Sequence, residues 1–368
     1  MMFDYTIAGA GLFGAVCARE LTNKGKKVLV VEKRNHIGGN CYTEIHDGII
    51  VHKYGPHIFH TNNKDVWEYV NKYTEFNNFI NSPIAKYKGK VYSLPFNMYT
   101  FNELWGVSTP QAAKEIIEYQ AGEVTNTDNL RDYAISIVGT DIYEKLIEGY
   151  TSKQWGRACE LLPHDIIKRL PLRFTYDNNY YNAKYQGVPV RGYTELIENL
   201  LEGSEILLNY EFDKEYILSD KIIYTGPIDE YFDYTLGKLS YRCVKWENET
   251  LNMDNYQGNA VVNYTDKETP YTRIIEHKWF NFGKDINGND VNKTIISREY
   301  SSMYISGKED NIPCYPISDN HNLNLYKQYK KIAEKHHPEI IFAGRLGEYK
   351  YYDMDQIIEA ALKLVSRL

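Results

Sequence analysis

From Phe3 to Ala8 the chain is apolar and rich in β-branched residues, the pattern of a buried strand. Ala15, Val16, Ala18 and Leu21 then recur at helical spacing, and Lys27–Val31 reads as a second buried strand. Residues 63–74 read as a helix, and 84–95 as a hairpin turning at Lys88-Gly89. The texture changes at Thr109-Pro110, an N-cap followed by proline at the first helical position. Helical periodicity then runs through 111–120, 129–139 and 141–155, so 98–160 reads as a small helical insertion. After Gly192 come a helix over 193–203 and a strand over 221–227 ending in Thr-Gly. Segments 258–266, 271–278 and 292–300 alternate apolar and polar residues, as antiparallel strands with one wet face do. The chain closes on a buried strand, a glycine turn, a loop and an amphipathic helix over 339–368. This last unit belongs with the first, which makes the α/β domain discontinuous, with two excursions, one helical and one antiparallel sheet.

Between the first strand and the first helix stands Gly9-Ala10-Gly11-Leu12-Phe13-Gly14, a G-x-G-x-x-G in the strand–turn–helix setting of a dinucleotide site. Gly9 permits the sharp turn, Gly11 lets backbone approach a pyrophosphate, and Gly14 lets helix pack on strand. The helix N-terminus offers unpaired N–H groups to phosphate. Glu32 ends the second strand 18 residues after Gly14. It can accept hydrogen bonds from an adenosine ribose, and an acid there argues against a ribose 2′-phosphate.

Composition excludes more than it assigns. A charge of −7 over 368 residues provides no basic field for nucleic acid. The five cysteines are scattered without a C-x-x-C, so neither a zinc site nor a disulfide framework is indicated. The ten histidines form no ligand pattern, and no metal is expected. No apolar run approaches the roughly 20 residues of a membrane span. The first strand begins almost at the first residue, without a signal peptide, and a reducing cytoplasm is the expected compartment. Many of the 34 tyrosines read as core or surface residues, and their excess suits a wet, polar pocket.

No G-x-S-x-G, H-E-x-x-H or telling carboxylate pair occurs. The arginines are more informative: Arg169 and Arg173 in "IIKRLPLRFTYDNNYY", Arg273 in "PYTRIIEH" and Arg345 in "FAGRLGEY". Each alone reads as a surface ion pair. Interleaved with Trp155, Tyr176, Tyr180, Tyr181 and Tyr351, they also read as a nucleotide-diphosphate site, since a guanidinium is the preferred bidentate phosphate ligand. Trp155 reads equally as a helix-end packing residue. His57, in "YGPHIFHT", is either a core histidine or a functional one carried on a turn.

Gly38-Gly39, directly behind the ribose-binding acid, resembles flavin proteins of the glutathione-reductase and amine-oxidase type. A closer resemblance covers nearly the whole chain. "GAGLFGAVCA", "EKRNHIGGN", "YGPHIFHTN", "SPIAKYKGKVYSLPFNM", "GYTSKQWGR", "IIKRLPLRFTYDNNYY", "IIYTGPID", "PYTRIIEHK" and "GRLGEYKYYDMDQ" resemble the bacterial UDP-galactopyranose mutases. The resemblance implies an α/β fold: a discontinuous Rossmann-like FAD-binding domain with a helical insertion domain and an antiparallel β-sheet domain. The expected boundaries are 1–78 with 190–236 and 316–368 for FAD, 98–162 for the helices, and 79–97 with 163–189 and 237–315 for the sheet. It also implies a homodimer that interconverts the six- and five-membered ring forms of UDP-galactose for cell-surface polysaccharide synthesis. Reduced flavin N5 attacks the anomeric carbon, UDP leaves, the sugar ring opens and recloses, and UDP returns.

Carried over by position, FAD is expected at Gly9, Gly11, Phe13, Gly14, Glu32, Gly39, Asn40, His57, Ile58 and Arg345, with Tyr352, Asp353, Met354, Asp355 and Ile357 meeting the flavin. Asn81, Tyr150, Thr151, Trp155 and Asn263 are expected to line the uridine and sugar pocket. Arg169 and Arg273 should clamp the diphosphate, helped by Tyr180, Tyr315 and Tyr351, and with His57 they are the expected catalytic side chains. Cys314 stands where the family commonly has an aromatic, and Arg191 has no assigned role. The rival readings are a flavin amine oxidase or desaturase-type oxidoreductase, and a flavin-free binding protein on the same scaffold, like the Rab GDP-dissociation inhibitors. The choice between UDP-galactose and its N-acetylamino form stays open.

Overall fold

β1 (Phe3–Ala8), α1 (Leu12–Asn23) and β2 (Val28–Glu32) form the βαβ unit that the apolar pattern predicts. The computed structural model describes residues 2–122, 124, 127–167, 172–214, 219–308 and 311–368. The chain divides into two compact units, Met1–Asn78 with Ala183–Cys243 and Met303–Leu368, and Phe79–Asn182 with Val244–Ser302.

In the first unit β1 is the central strand of a five-stranded parallel sheet, ordered Ile340–Phe342, Ser219–Tyr224, β1, β2, Glu205–Leu208. Both faces are covered, as a parallel sheet requires, and Ile7, Val30 and Ile223 are fully buried. α1 packs between the helix Tyr193–Leu201 and the closing helix Met354–Val365, which buries Ile357, Ile358, Ala361 and Val365. This unit takes in 183–189, 237–243 and 303–315, which the expected boundaries gave to the sheet. Backbone pairing and core packing are the reasons. Tyr185–Gly187 pairs with Phe59–Thr61 and the Asn77 N–H bonds the Val188 carbonyl, while Leu239, Tyr241 and Tyr304 pack with Ile228, Leu325, Tyr329 and Tyr349.

In the second unit the helical insertion and the sheet share one body. Ala85 and Tyr92 of the hairpin lie in the same core as Phe101, Leu130, Val138 and Ile142 of the helices. The predicted helices form at Met98–Trp105, Pro110–Ala121, Leu130–Val138 and, continuous in chain, 140–155, where Tyr143–Ile147 widens into a π turn. Thr109 caps its helix by accepting from the Ala112 N–H at 3.3 Å. The hairpin turns at Lys88-Gly89, both left-handed at φ 47° and 83°, the geometry of a two-residue turn.

Three expectations shift. The helix predicted over 63–74 covers only Lys64–Val70, capped by Asn63. The sheet is mixed, because Val261–Tyr264 is antiparallel to Arg273–Glu276 but parallel to Ile84–Tyr87. Nor is one face wet at the centre: Ile274, Ile275, Glu276, Ile296 and Ser297 are all fully buried. Glu276 tolerates this because its carboxylate accepts from the Tyr256 and Gln257 N–H groups and the Thr294 hydroxyl, at 2.7–2.9 Å.

Candidate functional site

A cavity of about 860 Å³ opens in the first unit at the carboxyl ends of β1 and β2, within the size range of small-molecule sites. Its floor is the glycine turn. Gly9 sits at φ +111°, and a Cβ there would stand 2.1 Å from the Thr225 Oγ1. A Cβ on Gly14 would stand 2.1 Å from the Gly9 carbonyl oxygen and 3.2 Å from Ile7 of β1. Gly11 differs: the nearest atom to its Cβ position is Gly39 Cα, at 3.8 Å. Its bareness serves the cavity, not the packing. Gly38 closes the floor by donating its N–H to the Ala10 carbonyl at 2.8 Å. The first turn of α1 carries no side-chain cap and no acidic residue, so its N–H groups face the cavity end uncompensated.

Glu32 is buried and braces this floor. Its Oε2 accepts from the Ala10 N–H at 2.9 Å and its Oε1 from the Arg34 N–H at 3.0 Å. Each carboxylate oxygen has a further lone pair, so Glu32 can still take ribose hydroxyls. Arg34 lies over the Tyr54 ring at 4.8 Å and donates from Nη2 to Asn40 Oδ1 at 3.0 Å. Its Nη1 is buried with no hydrogen-bond partner among the described residues, and Arg34 lines the cavity. An acceptor for ribose, an orphaned guanidinium nitrogen and an uncapped helix end make a donor set that fits a dinucleotide.

Of the expected cofactor residues, Gly9, Gly11, Phe13, Glu32, Gly39, Asn40, His57, Arg345, Met354 and Ile357 line this cavity. Gly14 acts beneath it, and Ile58 is buried beside His57. Asp353 caps the closing helix in a reciprocal box with Gln356, Asp355 bonds the Gln356 N–H, and the Tyr352 hydroxyl donates to Glu348. These three shape the helix end without lining the cavity. Arg345 donates to the Tyr352 carbonyl at 2.9 Å and the Cys314 carbonyl at 3.4 Å, and lies 5.5 and 5.3 Å from the rings of Tyr315 and Tyr351. Cys314 thus contributes backbone and cavity wall where an aromatic was expected. Arg34, Thr225 and Glu230 line the cavity without a sequence signal that singled them out; the Thr-Gly after the strand Ser219–Tyr224 was the nearest hint.

The second unit gathers another set. Arg273 sits in register opposite Asn263 on one side and Glu299 on the other. Its Nε donates to Glu299 Oε1 at 2.9 Å, and the Thr272 hydroxyl donates to the same oxygen at 2.5 Å. The Glu299 side chain is only 5% exposed, so this pair fixes the plane of the guanidinium. The Asn263 Oδ1 is buried with no hydrogen-bond partner among the described residues. Burial raises the pKa of the Tyr180 hydroxyl, and the nearby Arg273 charge opposes the rise. The Tyr180 N–H donates to the Asn81 carbonyl at 2.8 Å. Asn81, Tyr180, Asn263 and Arg273 are therefore brought together. Tyr150, Thr151 and Trp155 share the helix Glu148–Trp155, and Trp155 packs on the same core as Tyr180.

Arg169 lies outside the described residues. Arg173 binds its own loop, through Asp177, Asn179 and Asn182, and is structural. Arg191 forms an exposed ion pair with Glu195 at 2.8 Å, one turn along the chain. Among the described residues no helix is long and apolar enough to cross a membrane.

Comparison with known proteins matches residues 145–351 to the family model for UDP-galactopyranose mutase, and residues 7–73 to an NAD(P)-binding Rossmann-like domain. The chain is 39% identical over 366 residues to a probable UDP-galactopyranose mutase of Klebsiella pneumoniae, covering 97% of this chain and 92% of that protein. It is 38% identical over 370 residues to the dTDP-fucopyranose mutase of Escherichia coli, covering 97% and 96%. A crystal structure of reduced UDP-galactopyranose mutase shares the fold, with a TM-score of 0.75 at 14% identity over 100% of this chain and 94% of that one.

Proposed function

The chain belongs to the UDP-galactopyranose mutase family, and on that premise we propose that it interconverts the pyranose and furanose forms of UDP-galactose. The observation that carries the proposal is the strand register that sets Arg273, held in plane by Glu299, opposite Asn263, whose buried oxygen has no partner among the described residues. A fixed guanidinium holds phosphate oxygens in direction as well as position. The Asn263 oxygen wants a donor, which a sugar hydroxyl or the uracil N3–H supplies.

The first-unit cavity is the proposed FAD site. Glu32 takes the ribose hydroxyls, Gly11 and the first N–H groups of α1 take the pyrophosphate, and Arg34 Nη1 finds its missing acceptor there. Met354 and Ile357, on the first turns of the closing helix, also border the cavity, and the carboxylates of Asp353 and Asp355 already accept from the Gln356 N–H at that helix end. Bound there in its reduced state, FAD supplies a nucleophilic nitrogen for the anomeric carbon. The residues of the second unit keep the departed diphosphate in place, so that its return is effectively intramolecular. The family resemblance supports a cytoplasmic homodimer that feeds cell-surface polysaccharide synthesis.

Incubating the reduced protein with UDP-galactopyranose, UDP-N-acetylgalactosamine and dTDP-fucopyranose, and resolving the products, tests this directly. A furanose product is expected from UDP-galactopyranose in preference to dTDP-fucopyranose, and turnover of UDP-N-acetylgalactosamine decides between the two sugar forms. Preference for dTDP-fucopyranose contradicts the substrate assignment; consumption of an electron acceptor with an amine restores the oxidase reading.

Glu32→Ala is expected to weaken FAD retention by about 1.5–3 kcal/mol, or roughly 10–100-fold, the worth of hydrogen bonds to a charged acceptor. UDP affinity should stay within about twofold, because UDP meets none of these bonds. Flavin absorbance after dialysis and a UDP titration read the two separately. Collapse of UDP affinity with flavin retained contradicts the placement of the cofactor.

A further inference from the structure

Lys153 is a half-buried cation that the proposed chemistry does not use. It lies between Thr151 and Trp155 on the helix Glu148–Trp155. Its Nζ donates to three backbone carbonyls, those of Tyr264 at 2.8 Å, Thr269 at 3.0 Å and Tyr271 at 3.0 Å. An ammonium has three N–H donors, and all three find an acceptor here. These carbonyls belong to the last residue of the Asn263 strand and to the loop that joins it to the Arg273 strand. Tyr264 follows Asn263 directly, and Tyr271 precedes Arg273 by two residues.

The rest of the joint agrees. The Thr265 hydroxyl donates to the Lys145 carbonyl at 2.7 Å, on the π turn ahead of this helix. A Cβ on Gly149 would stand 2.2 Å from the Thr265 carbonyl oxygen, so glycine lets helix and loop touch backbone to backbone. Lys267 pairs with Glu148 at 2.8 Å, and the Ser301 hydroxyl donates to the Gln154 carbonyl at 2.6 Å. The Lys267 side chain is 60% exposed, so that pair adds little. The Lys153 bonds are charge-assisted and shielded, which makes them the strongest ties in the set. Burial lowers the pKa of Lys153 to about 8, against the opposing charges of Asp266 and Glu268.

We propose that Lys153 is a positioning residue: it clasps the helix bearing Tyr150, Thr151 and Trp155 to the loop between Asn263 and Arg273, and so sets the spacing across which the nucleotide sugar is held. This rests on the reading of the second unit as the substrate-binding part. Lys153 touches neither substrate nor cofactor and acts through the groups on either side of it.

The test compares Lys153→Met, Lys153→Arg and Thr265→Val with the parent, each purified with its flavin. Lys153→Met keeps the volume and removes the donors. Its UDP dissociation constant is expected to rise about tenfold and its kcat/KM to fall about 30-fold, with flavin content unchanged. Lys153→Arg keeps the charge and has donors to spare, and should bring UDP binding back to within about threefold. A purely structural lysine predicts a lower melting temperature with UDP binding and kcat/KM of the folded protein unchanged, and that result overturns the proposal. Thr265→Val loosens the same joint without touching a charge and should raise the UDP dissociation constant about threefold, from one neutral hydrogen bond. If Lys153→Met does not accumulate folded, Lys153→Arg and Thr265→Val decide. UDP binding unchanged in Thr265→Val overturns the clasp, as does UDP binding lost in Lys153→Arg with its fold and flavin intact. A parent that binds UDP but converts no nucleotide sugar counts against the proposed reaction and leaves the comparison of UDP affinities standing.

Discussion

Replacing Arg273 by alanine is expected to lower kcat/KM on the order of 100-fold or more, from about 3 kcal/mol of charge-assisted contacts to the diphosphate. Stacking on the base leaves the anomeric carbon free to swing; a planar guanidinium does not. Glu299 strengthens this expectation, because it holds the fork through Nε from a buried position. Arg273→Lys keeps the charge and loses both the fork and the Glu299 geometry, so it should recover substrate binding better than kcat. FAD content should be unchanged in both variants, since Arg273 belongs to the second unit and the cofactor cavity to the first. Alanine also leaves the Glu299 carboxylate buried without its cationic partner, so melting temperatures must be compared to separate stability from catalysis. Turnover equal to the parent in both variants would make Arg273 one more strand residue and remove the diphosphate clamp.

Gly14→Ala is expected to be a damaging single methyl group in the first unit. The added Cβ would meet the Gly9 carbonyl oxygen at 2.1 Å, a backbone atom with no rotamer to change. The turn must move, and it carries the Ala10 N–H that Glu32 braces and the Gly11 backbone that faces Gly39. Overpacking of this kind costs about 1–3 kcal/mol in the folded protein, and the same movement distorts the proposed pyrophosphate seat. The variant is expected to purify without flavin while still binding UDP. Full flavin occupancy would show that the turn relaxes freely, and with it that the cavity is not built around the glycines.

How much of this was legible in the sequence depends on the range of each interaction. The glycine turn, its flanking strands and the closing helix are local patterns, and they stand where the pattern predicts them. The Lys88-Gly89 turn was equally readable, since two left-handed residues in a row have a local signature. Long-range partners were not readable. Nothing in "ISREY" announces that Glu299 aligns with Arg273, because strand register is fixed by the whole sheet. Lys153 sits in a quoted motif, yet its acceptors are backbone carbonyls more than a hundred residues away.

The tyrosines illustrate the same limit. Their number pointed both to core positions and to a wet pocket without saying which tyrosine goes where, and several are core residues with their hydroxyls spent on backbone. Tyr349 donates to the Ser240 carbonyl at 2.6 Å and Tyr329 to the Gly237 carbonyl at 2.6 Å. Composition counts a tyrosine without saying which end is buried. Arg173 shows how a structural cation imitates a site: it pairs with Asp177, four residues on, which no motif reveals.

The central claim is that the flavin is chemically engaged but returns unchanged. The most direct measurement reduces the protein once with an equivalent of dithionite under anaerobic conditions, removes the excess, and follows UDP-galactopyranose and UDP-galactofuranose as they equilibrate. The account predicts many turnovers per flavin with no further reductant, no net change in the flavin spectrum at equilibrium, and no turnover after reoxidation. Equal activity in the oxidised protein, or loss of one reduced flavin per product formed, contradicts it.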